Sequence, residues 1–185
     1  ERLLAESWPS MAAWVDRCEH LARTKRHPDR AKARPTPAPH EHFLRDTGVH
    51  FGEWLAPPSP VDQWNPKLEK GRDDGDFATA YFHYSAKLLG RTACVLGDAA
   101  AAQRYEVLAE NIRSAWWTKY GNDDGSLRRP TQANYVRALA FELAPDEKRE
   151  RVAQQLVELV RAAGTHVGTG TFGTAFLLPV LADAG

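Results

Sequence analysis

Cysteine is scarce in this chain: two among 185 residues, too few for the disulfide framework of a small secreted module and without the paired spacing of a zinc site. Cys18 and Cys94 each fall on the apolar face of a helical pattern, where they read as small core residues, and the redox compartment stays open. An excess of charge of one sign is missing too. The 24 Lys and Arg are balanced by 24 Asp and Glu, so there is no basic stripe to draw nucleic acid, and no such partner is expected. No apolar run is long enough to cross a bilayer, which argues against a membrane partner. No segment shows the strict alternation of a half-buried strand. The opening ERLLAESW already lies in a helical pattern, so no signal segment can be read, and localisation is left undetermined.

What is present is helical periodicity. With 43% apolar and 26% charged residues, the chain can bury most of one core, and a single domain over 1–185 is the expectation. Leu4, Trp8, Met11, Val15, Cys18 and Ala22 form one helix face, with Pro9 predicting a kink or a restart at Ser7–Pro9. Residues 24–49 form a long irregular Pro- and charge-rich loop, the start of a connection that runs to Asp73 and is too long for a plain linker. A second helix carries Phe77, Tyr81, Tyr84, Leu88 and Val95 inward, is capped by Asp76 and closes at Gly97. A third, capped by Asp98, carries Tyr105, Leu108, Ile112, Ala115 and Trp116. The link between them is so short that they must form an antiparallel αα-hairpin. Further helices are predicted over Thr131–Leu143, over Asp146–Ala163 with Val152, Leu156, Leu159, Val160 and Ala163 inward, and from Phe172 onward with Phe176, Leu177, Val180 and Leu181. The fold class is all-α, built of antiparallel helix hairpins.

The stretch HFGEWL at 50–55 is the most informative chemically. Glu53 sets a carboxylate directly beside the indole of Trp54: a broad apolar face for the C–H side of a sugar, with an acceptor for its hydroxyls. The competing reading is a core tryptophan under a long loop beside a solvated acid. His40, His42 and His50 match no metal-ligand spacing and read as solvated loop histidines, so no metal is expected. His20 and His83 lie within helices and read as structural. NDDGS at 122–126 lacks the bidentate glutamate of a calcium loop and reads as a turn, as does DDGD at 73–76. GTHVGTGTFGT at 164–174 opens into an apolar helix. It lacks the lysine and preceding strand of a phosphate cradle, and no cofactor is expected. Either Gly170 and Gly173 let helices approach closely, or the threonines form a hydroxyl-rich rim.

Five motifs in order, WPSMAAWV at 8–15, HFGEWL at 50–55, ATAYFHYSAKLLGRTACVLG at 78–97, RRPTQANYVRALAFEL at 128–143 and GTHVGTGTFGTAFLLPVLADAG at 164–185, resemble the catalytic domain of bacterial α-L-rhamnosidases, glycoside hydrolase family seventy-eight. The resemblance implies an (α/α)6 barrel, of which this chain is roughly half, a partial domain in the middle of a larger one. It implies hydrolysis of terminal α-L-rhamnosyl residues with inversion, by two carboxylates standing well apart. Both belong to family motifs not found here, one upstream and one downstream, so no residue of this chain is assigned as acid or base. Trp54 with Glu53 carries over as substrate-binding, and Tyr81, Gln132 and Thr169 are further candidates from helix ends. The family usually places aspartate where Glu53 stands. The implied partners are a rhamnose-containing glycoside and the rest of the parent chain, with self-association of the isolated piece through uncovered apolar faces. Another (α/α)6 carbohydrate-active enzyme and a non-catalytic helical scaffold are the alternative readings.

Overall fold

The computed structural model describes residues 1–48, 50, 52–57 and 75–184. Its helices are α1 (Arg2–Thr24), α2 (Pro28–Ala33), α3 (Gly75–Val95), α4 (Ala99–Tyr120), α5 (Gln132–Ala140), α6 (Arg149–Ala162) and α7 (Thr171–Asp183), with 3-10 turns at Pro39–Phe43 and Asp146–Lys148. Among the described residues, extended pairing is confined to an isolated antiparallel bridge between Gly121 and Leu127. None of their helices is long and apolar enough to cross a membrane. Contacts divide the chain into two compact units, Glu1–Val49 with Ala78–Trp116, and His50–Phe77 with Trp117–Gly185.

In the first unit Val15, Cys18 and Ala22 of α1 are buried against Phe82, Ala86 and Leu89 of α3 and Tyr105, Leu108, Ala109 and Ile112 of α4. α1 runs through Pro9 without the expected restart; one forfeited backbone donor is outweighed by the packed face. The α3–α4 hairpin forms as the short link requires. Gly97 takes the left-handed conformation at φ +77°, the Asp98 amide donates to the Ala93 carbonyl at 2.9 Å, and the Ala101 amide donates to Asp98 Oδ1 at 2.9 Å to cap α4. Contacts run in opposite order along the two helices: Gly90 faces Ala102 and Tyr105, while His83 Nδ1 donates to the Ala109 carbonyl at 2.9 Å.

The inward face of α3 differs from the expected one. Ala80, Phe82, Ala86, Leu89 and Ala93 are buried, whereas Leu88 and Val95 are exposed and Phe77, Tyr81 and Tyr84 are half-buried. A tight hairpin brings two helix backbones close, so the small residues Ala86, Gly90 and Ala93 are turned inward with Phe82 and Leu89, and Phe77, Tyr81 and Tyr84 are turned aside. Cys94 shares the rejected face and is exposed, while Cys18 is buried as expected.

Of residues 24–49, expected as an irregular loop, the described residues 24–48 fold around a buried ionic clasp. Arg30 holds Asp46 with two parallel bonds, Nε to Oδ2 at 2.6 Å and Nη2 to Oδ1 at 2.7 Å, and also pairs with Glu41. Arg26 donates to Glu41 Oε2 at 2.8 Å and to the carbonyls of Arg34 at 2.9 Å and Pro35 at 3.0 Å. Burial pushes the Glu41 carboxyl up, but the Ala38 amide, Arg26 and Arg30 outweigh it and bring it down to about 2. The clasp is tied to α3 by the Arg45 amide donating to Thr79 Oγ1 at 2.9 Å. His40 and His42 on the intervening turn are half-buried, as is His50, rather than fully solvated.

In the second unit α5 packs on both α6 and α7. Thr131 caps α5, its Oγ1 accepting from the Asn134 amide at 3.2 Å. The helix ends at Ala140, short of the expected Leu143, because the Leu143 and Ala144 amides both turn back to the Ala138 carbonyl. Tyr135 is fully buried; its hydroxyl accepts from the Leu127 amide at 3.1 Å and donates to Gln155 Oε1 at 3.4 Å. Phe141 meets Phe176 of α7 edge-on at 5.3 Å. Val152 and Leu156 of α6 are buried as expected, but Ala163 lies just past the helix end and is exposed. NDDGS forms a turn in which Asp124 Oδ1 accepts from the Ser126 amide and hydroxyl. The turn expected over 73–76 lies partly outside the described residues, and Asp76 sits inside the first turn of α3 rather than before it.

Candidate functional site

α7 begins with a defect that decides the site. Its cap position is Gly170, which has no side chain to bond the open amides of the first turn. These are met from a distant segment: the Thr171 amide donates to the Trp54 carbonyl at 2.8 Å, and the Gly173 amide donates to Glu53 Oε1 at 2.7 Å. A carboxylate at a helix N-terminus is favoured by the helix dipole as well as by the bond itself. Glu53 thus fills the place an anion would take, which removes the phosphate-cradle reading of the Gly/Thr segment. A Cβ on Gly170 would stand 2.2 Å from the Trp54 oxygen and 2.8 Å from the Ala56 nitrogen. The glycines therefore admit the 52–56 turn rather than a second helix, correcting the close-helix expectation.

The other Glu53 oxygen, Oε2, pairs with Arg137 of α5. Arg137 donates through its second amino group to Asn134 Oδ1, and Asn134 Nδ2 donates to Asp76 Oδ2 at 2.9 Å and to the Arg129 carbonyl at 3.0 Å. Asn134 and Arg137 are three apart and share one face of α5. Arg129 Nη1 stands 3.7 Å from Asp76, so the cluster of Glu53, Asp76, Arg129 and Arg137 carries two charges of each sign. The Arg137 guanidinium lies over the Phe77 ring at 5.0 Å, and Phe77 meets Phe172 of α7 edge-on at 5.4 Å. Both side chains of the central pair are almost wholly buried, Glu53 at 5% and Arg137 at 4% exposed.

Trp54 stands on this base with 49% of its surface exposed. That exposure disfavours the core-tryptophan reading, since a core indole hides nearly all of its area. Gln132 is buried and both ends of its amide are engaged: Nε2 donates to the His166 carbonyl at 3.1 Å and Oε1 accepts from the Gly168 amide at 2.7 Å. Thr169 is buried as well, its hydroxyl 2.9 Å from that of Thr174, which in turn donates to the Gly170 carbonyl at 2.7 Å. Gln132 and Thr169 therefore brace the segment that leads into α7. Trp54, Glu53, Gln132 and Thr169 all belong to the second unit, whereas Tyr81 belongs to the first. Phe51 of the HFGEWL motif lies outside the described residues.

Asn134 and Arg137 were not among the sequence candidates. The signal was there: a lone arginine inside the apolar run YVRALAFEL, three residues after an asparagine, is costly to bury unless paired. Its partner could not be read, because Glu53 lies 84 residues away.

The family model of the bacterial alpha-L-rhamnosidase 6 hairpin glycosidase domain matches residues 1–185. An alpha-L-rhamnosidase of Streptomyces avermitilis is 36% identical over 184 residues, covering 100% of this chain and 15% of that protein. One from Alteromonas sp. strain LOR is 31% identical over 193 residues, covering 100% of this chain and 18% of that protein. Among solved structures, the Streptomyces avermitilis alpha-L-rhamnosidase complexed with L-rhamnose matches with a TM-score of 0.78 at 34% identity, over 100% of this chain and 15% of that one. An alpha-L-rhamnosidase from Dictyoglumus thermophilum matches in fold with a TM-score of 0.77 at 21% identity, over 100% of this chain and 18% of that one. The chain spans a small fraction of each relative's length. With the family model matched across all these residues and the helical hairpins laid out as described, the chain belongs to the bacterial α-L-rhamnosidase six-hairpin glycosidase family.

Proposed function

We propose that these residues form part of an α-L-rhamnosidase that releases terminal α-L-rhamnosyl groups from glycosides with inversion, as one partial domain supplying helices and part of the sugar site. The observation that carries the proposal is Trp54, a half-exposed indole on a turn clamped to the start of α7. The L-rhamnose bound in the Streptomyces avermitilis relative supports the choice of sugar. Rhamnose is a 6-deoxy sugar whose methyl group and C–H face suit an aromatic platform. Burying one methyl-sized group contributes about 0.8 kcal/mol, so stacking alone selects weakly and polar groups must complete the discrimination from mannose. Glu53 is proposed at the same subsite beside Trp54. Gln132 and Thr169 serve it by bracing the 166–174 segment, and Tyr81 is proposed on the family resemblance alone. The general acid and base come from sequence outside these residues, and the remainder of the parent chain covers apolar side chains such as Leu88, Val95 and Leu178, which are exposed here.

The test compares the full-length natural protein with the 185-residue piece on p-nitrophenyl α-L-rhamnoside. The full-length protein should release p-nitrophenol and give first the inverted sugar anomer by NMR, while the piece alone should be silent and bind a hydrophobic dye. Clear turnover by the piece, or no turnover by the full-length protein on any rhamnoside, would sink the proposal.

A further inference from the structure

The 52–56 turn does not hold its own shape. Gly52 and Leu55 both sit at left-handed φ, +60° and +59°, and for leucine that region is strained by its Cβ. Its geometry is imposed from outside, by two helices. α7 takes the Trp54 carbonyl and the Glu53 carboxylate on its first amides, and α5 takes the same carboxylate through Arg137. Trp54 is thereby anchored on both sides, by the residue before it and by its own carbonyl. Arg137 keeps its orientation although its buried Nε has no hydrogen-bond partner among the described residues, a cost that native structures seldom carry without a use.

We infer that Arg137 is a positioning residue: acting through Glu53, it fixes the 52–56 turn and with it the direction in which the Trp54 indole is presented to the sugar. The inference rests on the proposed role of Trp54 as the sugar platform. A guanidinium suits the task because it bonds Glu53 and Asn134 with two differently directed N–H groups of one rigid plane, which an ammonium cannot do. Asn134 passes the constraint on to Asp76 at the start of α3, and the Phe77 ring backs the guanidinium plane. Arg137 touches no substrate in this scheme.

The experiment uses the full-length natural protein labelled with fluorotryptophan, the Trp54 fluorine resonance being assigned by its loss in Trp54→Phe. Arg137→Met should move or broaden that resonance, and should weaken L-rhamnose binding roughly tenfold to a hundredfold, the scale expected when a contact group is displaced by about an ångström. In a Trp54→Ala background the same substitution should leave the residual affinity unchanged, whereas a merely structural role would lower it in both backgrounds. Should Arg137→Met not fold, Glu53→Gln, which keeps an acceptor for the Gly173 amide while breaking the ion pair, reads the same resonance. An unmoved Trp54 resonance in the folded variant overturns the inference, as does an equal loss of affinity in both backgrounds. A displaced resonance in a protein that binds no L-rhamnose upholds the positioning role and instead overturns the α-L-rhamnosidase reading.

Discussion

Two irregular stretches of this chain are each pinned by buried arginine–carboxylate pairs, and they use them differently. The clasp of Arg26, Arg30, Glu41 and Asp46 is closed among neighbours: its pairs are 11 to 16 residues apart, and it holds the stretch that contains them. The cluster of Glu53, Asp76, Asn134 and Arg137 joins residues 58, 84 and 120 positions apart through Asn134–Asp76, Arg137–Glu53 and Gly173–Glu53. Its outer end is a half-exposed indole. A clasp local in sequence fixes a loop against its own helices. A cluster spanning distant segments fixes one side chain in space, which is what a binding site requires.

Arg30→Met and Arg137→Met test that contrast most severely. Each leaves a carboxylate buried without its cation, which costs about 3–5 kcal/mol, so both variants should unfold at markedly lower temperature or denaturant. Only Arg137→Met should also alter the Trp54 environment and sugar affinity of the molecules that remain folded. An equal effect of Arg30→Met on sugar affinity would erase the distinction.

Acid probes the first clasp more gently. Glu41 has its folded value lowered to about 2, so the stability it contributes is fully present above the unfolded carboxylate value of about 4.3 and is lost as pH falls toward about 2. Urea midpoints measured across that window should drop, and Glu41→Gln, less stable at neutral pH, should flatten that part of the profile. A wild-type midpoint unchanged down to pH 3 would show that Glu41 is no stronger an acid folded than unfolded.

Trp54→Ala sharpens the second cluster. Loss of a stacking platform contributing about 1–3 kcal/mol should lower kcat/KM of the full-length protein roughly tenfold to a hundredfold, with Tm barely moved. A core tryptophan behaves oppositely, costing about 3–5 kcal/mol of stability on truncation. A collapse of Tm with normal kcat/KM in the folded fraction would place the indole in the core. The smallest effect is expected of Thr131→Ala, which removes the cap of the helix carrying Arg137 and should cost about 1 kcal/mol of stability. If circular dichroism melts cannot tell it from wild type, the capping bond to the Asn134 amide contributes nothing.

The sequence by itself determined the elements whose information is local. Asp98 and Thr131 cap helices by bonding amides three residues on, Gly97 closes α3 by its own backbone freedom, and the α4 face of Tyr105, Leu108, Ile112 and Trp116 is written in its spacing. The ordered motifs pointed to the family, and the Glu–Trp pair was legible as a feature. The inward side of α3 was not, because periodicity gives a stripe without saying whether large or small residues must face a close neighbour. The clasp over residues 26–46 was hidden for a related reason: a run rich in charge looks solvated until its charges are seen to pair. That Glu53 caps a helix 120 residues away, that Gly170 leaves room for the 52–56 turn, and that Arg137 pairs with Glu53 only the tertiary structure decided. Ion pairs and close approaches between distant segments leave no periodic trace in either segment, since each partner is chosen by where the fold brings the other.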